Sequence, residues 1–134
     1  MDNDVLKLIP KDKFDNSTLK ELMELSECEM KLILSQLIQW IADFNWPIAK
    51  DMIQVLIKYP NSLIPIIKKS LDASQEDDIL KYWILIKLIP ELSKEYQNML
   101  LKDIKRIYNE PTPFEEIENV QYEAKILIDK ILSY

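Results

Sequence analysis

Three sets of side chains in this sequence could do chemistry: scattered carboxylates, a paired set of basic residues, and three tryptophans. Asp15, Asp43 and Glu91 are the carboxylates that would serve an enzyme or small-molecule site in a helical cleft, where burial shifts such groups toward acid or base work. Nucleophilic catalysis has little to draw on. The chain has no histidine, so a triad, a Cys–His pair and any histidine-containing zinc site are closed. It has no glycine either, so phosphate-cradling loops, dinucleotide fingerprints and nucleophile elbows are closed as well. Cys28 is the lone thiol. A helix N-terminus would activate it, but Glu27 and Glu29 oppose a thiolate, so the sequence reads it as a small buried or inert residue. No cofactor and no metal site are expected.

Lys68, Lys69, Lys105 and Arg106 form the basic set. A shift of 37 residues superposes them in pairs, along with Trp46 on Trp83, Lys50 on Lys87, Tyr59 on Tyr96, Asn61 on Asn98, Leu63 on Leu100 and Ile67 on Ile104. Stacked helix pairs of this period would place the four charges on one face of adjacent rungs, where an acidic surface or phosphates could dock. The plain alternative is a solvated face. Trp46 and Trp83 are candidates to anchor a partner, or else to fill equivalent seams between helices. Trp40 reads as core. Asp43 and Asn45 flank the Trp46 turn and are expected to cap the helix that follows. Glu76-Asp77-Asp78 and Glu115-Glu116-Glu118 sit at expected helix starts. They complement the helix dipole there or receive a basic partner.

These side chains must be positioned by helices. Apolar residues recur at three- and four-residue spacing, and no long segment alternates with period two. The spacing predicts helices over 18–25, 26–44, 47–58, 62–72, 77–89, 94–108 and 118–132. The clearest stripe is Met30, Ile33, Leu37, Trp40, Ile41 and Phe44. Thr18 with Glu21, and Ser26 with Glu29, have capping-box spacing, and Ser74 with Asp77 is a looser version. Pro47, and Thr112-Pro113 followed by Glu115, fit first helical turns. Residues 1–17 read as an extended lead-in with Leu8, Ile9 and Phe14 against the body. The fold class is all-α: one domain over 1–134, a short HEAT-like or armadillo-like stack of antiparallel helix pairs. Its repeat units would be about 46–72 and 83–109, with end-capping helices about 26–44 and 118–132.

Size and charge bound the rest. At 134 residues a chain can bury a core of its own without staples. The net charge of −6 is uneven. Residues 1–45 hold five lysines and nine acids, and residues 112–134 hold two lysines and five acids. An acidic chain repels nucleic acid at long range, so binding through the basic stripe to nucleic acid or phosphate is the weaker alternative. The opening MDNDVLKLIPKDKFD lacks a secretory pattern and the greasy run 79–89 is interrupted by Lys81 and Lys87, so the expected home is cytoplasmic and no membrane partner is expected.

Several strings are distinctive: Leu8-Ile-Pro-Lys-Asp-Lys-Phe-Asp15, Trp40-Ile-Ala-Asp-Phe-Asn-Trp-Pro47 with Ala49, Lys81-Tyr-Trp-Ile-Leu85, Leu88-Ile-Pro-Glu-Leu92 and Asn109-Glu-Pro-Thr112. In this order, from about residue 6 to residue 132, they resemble a family of small bacterial proteins catalogued as a domain of unknown function. The resemblance implies a short HEAT-like helical array. It transfers no activity, although some members sit beside proteins of toxin–immunity systems. The function expected is a non-enzymatic protein–protein interaction module in a bacterial cytoplasm, of accessory or immunity type. Its acidic ends would neutralise a basic partner by charge complementarity. A second copy of the chain could pair through an end helix.

Overall fold

Without glycine, the chain turns its corners with proline, asparagine, serine and aspartate, and these set the helix boundaries. The computed structural model describes residues 5–133. Among these it is all-helical, with nine α-helices and no strand. The chain divides into two compact units, Met1–Leu63 and Ile64–Tyr134.

The first unit carries α1 (Leu19–Met23), α2 (Glu27–Lys31), α3 (Leu34–Leu37) and α4 (Pro47–Leu56). Helix α5 (Pro60–Leu71) begins in it. The single helix expected over 26–44 is broken. Ile33, at φ −125° and ψ −1°, leaves helical geometry, and α3 tightens into a 3₁₀ turn over Ile38–Ile41. β-branched residues at 33, 38 and 41 lose χ1 freedom in a helix, which weakens its hold on this stretch. The stripe survives the break: Met30, Ile33, Leu34, Leu37, Ile38 and Ile41 are all buried. They pack with Ile48, Met52 and Val55 as the core of the unit. Trp40 and Phe44, expected on that stripe, are only half-buried.

The lead-in over 5–17 is not extended. Val5 and Leu6 are helical and a series of turns follows, with Leu8 N–H donating to Val5 O and Asp15 N–H to Asp12 O. Asp12 and Asp15 accept from backbone amides two residues on, the turn-forming habit of short acidic side chains. Ile48 N–H donates to Lys13 O and ties these turns to α4. Phe14 stands in solvent at 67% exposure, contrary to expectation, while Val5 and Pro10 are buried. The first four residues of the expected lead-in lie outside the described residues.

The second unit holds the rest of α5, then α6 (Asp78–Trp83), α7 (Lys94–Asn109), α8 (Pro113–Ile117) and α9 (Val120–Ser133). The helix expected over 77–89 widens into a π turn over Ile84–Leu88 and then tightens to 3₁₀ over Ile89–Glu91. Pro90 is the physical reason: it offers no N–H to the carbonyl of Ile86 and its ring crowds that oxygen. Helices α7 and α9 pack along each other through Leu100, Ile104, Ile107, Ala124, Leu127 and Ile131. Helix α8 lies outside the expected set. The corner after it is made by Asn119 at φ 64°, the one left-handed residue among those described.

The expected repeat is not matched at its tryptophans. Trp46 directly precedes α4, whereas Trp83 ends α6. Asn61 is the second residue of its helix and Asn98 the fifth. Among the described residues no helix is long and apolar enough to cross a membrane.

Candidate functional site

The most chemically loaded place in the structure is built by the corner between α7 and α8. Thr112 caps α8: its Oγ1 accepts from Glu115 N–H at 3.2 Å, and the Glu115 carboxylate accepts from Thr112 N–H at 2.8 Å. This capping box turns the Glu115 side chain inward, and it is fully buried. Two cations meet it there. Lys81, buried on α6, donates from Nζ to Oε2 at 2.7 Å. Arg106, on α7, donates from Nη1 to Oε1 at 2.6 Å and from Nη2 to Oε2 at 2.9 Å. The same guanidinium donates to Leu71 O at the end of α5, at 2.6 Å.

Burial would push the Glu115 carboxyl up, but the hydrogen bonds from Arg106, Lys81 and Thr112 outweigh it and hold the group below the usual glutamate range. Glu115 is therefore an ionised carboxylate with its acceptor sites filled. It is suited to holding three helices together and not to taking a proton. Asp78 differs. It is buried one turn before Lys81, and its Oδ1 lies 3.5 Å from Lys81 Nζ without accepting a hydrogen bond. Burial pushes its carboxyl above the usual aspartate range, against the opposing pull of Lys81.

Asp78 also lines a surface groove of about 250 Å³, with Ile79, Tyr82, Trp83, Glu118 and Asn119. Tyr82 and Trp83 meet edge to face, ring centroids 5.2 Å apart. Beside it, Phe114 and Ile117 on α8 and Tyr122 on α9 are more than half exposed, among the exposed acids Glu116 and Glu118.

The expected basic stripe is reshaped. Arg106 is drawn into the Glu115 cluster, and Lys68 pairs with Asp103 at 2.9 Å and donates to Met99 O. Lys69 and Lys105 remain exposed. The groove on this side, about 290 Å³, is lined by Lys68, Lys102 and Arg106 but also by Asp72 and Asp103, so its charge is mixed. A face whose cations already have carboxylate partners attracts phosphate weakly.

Trp46 is half-buried and packs edge to face on Trp40 at 5.7 Å. Trp83 is half-buried on the groove already described. Asp43 and Asn45 do not cap α4. The Asp43 carboxylate accepts from Asn45 N–H at 2.9 Å and closes a turn instead, leaving Trp46 as a cap residue with no side-chain bond. Asp15 is engaged by the Ser17 hydroxyl and the Lys11 backbone amide, whose hydrogen bonds lower its pKa, and Glu91 is exposed. None of the three expected cleft carboxylates is buried. Cys28 is exposed on α2, not buried. Among the described residues no three His, Cys, Asp or Glu side chains gather as a metal ion would require.

Lys81 and the inward turn of Glu115 escaped the sequence reading. The signal for Lys81 was its place inside an apolar run, where a charge that cannot reach water needs a partner. The 8–128 segment, which contains the whole cluster, matches the model of the domain of unknown function DUF5071. The chain belongs to the DUF5071 family. No curated protein matches it. In this DUF5071 chain the matched segment also holds the groove and α8.

Proposed function

We propose that this DUF5071 chain is a non-enzymatic protein–protein interaction module that binds a basic protein surface, in the manner of an accessory or immunity-type binder in a bacterial cytoplasm. One observation carries the reading: Phe114 and Ile117, 62% and 70% exposed, stand among acidic side chains on and beside the short helix α8. Apolar anchors with a charged rim are the anatomy of a docking patch. The sign of the rim selects a basic partner and steers its approach. Two further points support it. The buried carboxylate with the strongest partners, Glu115, is saturated with donors, and the expected cleft carboxylates are exposed or engaged in local turns.

The test is capture of partners from the source cell by the full chain, compared with a Phe114→Asp/Ile117→Asp variant and a Lys69→Glu/Lys105→Glu variant. Basic proteins retained by the parent and by the lysine variant, but lost from the α8 variant, are the expected result. Partners lost from the lysine variant alone would overturn the reading in favour of the basic face.

A further inference from the structure

The groove beside Asp78 has the composition of a receptor for one organic cation. We propose that it receives an arginine side chain of the basic partner, a site that rests on the binding-module reading above. Asp78 is 7% exposed, and its Oδ1 accepts no hydrogen bond. The nearest cation, Lys81, lies 3.5 Å from that oxygen and directs its hydrogen bond to Glu115 at 2.7 Å. Asp78 is thus only loosely paired, and as a lining residue of the groove it adds negative charge where a cation would sit.

The rest of the groove fits a guanidinium better than any other group. Glu118 is a second, exposed carboxylate lining it. Together Asp78 and Glu118 can accept from the several N–H groups of the planar fork. Tyr82 and Trp83 supply ring faces and edges against which a weakly hydrated planar cation packs, while Ile79 offers hydrocarbon to its stem. Lysine offers a compact, strongly hydrated charge and gains less from the rings. Anions are disfavoured. Lys81, Arg106, Glu115 and Asp78 sum to zero charge, so Glu118 and the exposed Asp77 leave the mouth of the groove negative.

The probe is Nα-acetyl-L-arginine methylamide, titrated onto the full chain while amide and indole N–H resonances are followed by NMR. The expected result is a saturable shift of the Trp83 indole and the Asn119 amide, with the norleucine analogue producing none. Glu118→Gln leaves the fold intact, because Glu118 is exposed, and weakens binding by about tenfold, the loss of one charge-assisted hydrogen bond. Asp78→Asn weakens it by at least as much. Shifts that do not saturate, or affinity unchanged in Glu118→Gln, overturn the groove. Retention of basic partners through α8 with no arginine response in the groove overturns this inference and leaves the binding module standing. Saturable arginine binding with no partner dependent on Phe114 and Ile117 does the reverse.

Discussion

Among the described residues, the 1–63 unit buries one polar side chain, Ser62, whose Oγ donates to Glu27 at 2.6 Å. The 64–134 unit buries Asp78, Lys81 and Glu115, with Arg106 closing over them. The first unit thus holds its helices mainly by hydrocarbon contact, which is strong but non-directional. The second adds a directional joint. One carboxylate accepts from α6, from α7 and from the cap of α8, and the same arginine reaches the end of α5. Hydrocarbon decides which faces turn inward, and the ion cluster decides which helix ends meet.

The largest effect that can test this contrast is removal of Glu115. Glu115→Ala leaves buried Lys81 with only the looser counter-charge of Asp78, at 3.5 Å, and should cost about 3–5 kcal/mol in urea unfolding. Lys81→Met combined with Glu115→Leu should recover part of that loss, since apolar replacement of a buried pair is commonly neutral or better, the shortfall being Asp78 and Arg106 left without their partners. A double variant as unstable as the single one would show that the cluster is more than a joint. In the first unit, Leu37→Ala should cost about 2–5 kcal/mol through the cavity it leaves, with no partner substitution able to restore it. Ser26→Ala removes the α2 capping box and should cost about 1 kcal/mol by the same measurement.

The smallest effect is a pH slope. Burial raises the Asp78 pKa in the fold above its unfolded value of about 3.9. The fold therefore favours the protonated form more than the unfolded chain does, so the contribution of Asp78 is full below the unfolded pKa and is lost as pH rises through the folded one. Asp78→Asn should therefore stand higher against the parent at about pH 7 than at about pH 4, read as the difference in urea midpoints. Glu115, held low, runs the other way: its contribution is present above its unfolded pKa and lost as pH falls through the folded one. Both chains retain it, so it cancels from the comparison.

Much of the architecture was legible in the sequence, because apolar spacing reports which face is buried even where the backbone breaks. Met30 to Ile41 stayed on one side through two changes of helix type. The breaks were not legible, since they depend on how β-branched residues and Pro90 balance against packing. Ser26 formed the capping box its spacing announced and Thr18 did not, while Thr112-Pro113 opened a helical turn as expected and closed a box with Glu115 besides. The Thr18 hydroxyl donates instead to Leu8 O, a carbonyl ten residues away. The Asp43 and Asn45 reading failed for a similar reason, a nearer amide taking the carboxylate. At the buried cluster the residue types were visible and their meeting was not. Arg106 and Glu115 lie nine residues apart across a corner, and Lys81 lies thirty-four from Glu115. Only the path of α7 into α8 brings the three together.

Asn119, alone among the described residues in the left-handed region, shows how far this chain goes without glycine. The consequence lies in the unfolded state. Each glycine exchanged for another residue at a compatible position removes about 0.4–1 kcal/mol of chain entropy that folding would otherwise have to overcome. A chain of this length would ordinarily carry about nine glycines. This one starts from a narrower disordered ensemble, so Asn119→Gly should relax the corner while widening that ensemble, and the two effects pull stability in opposite directions.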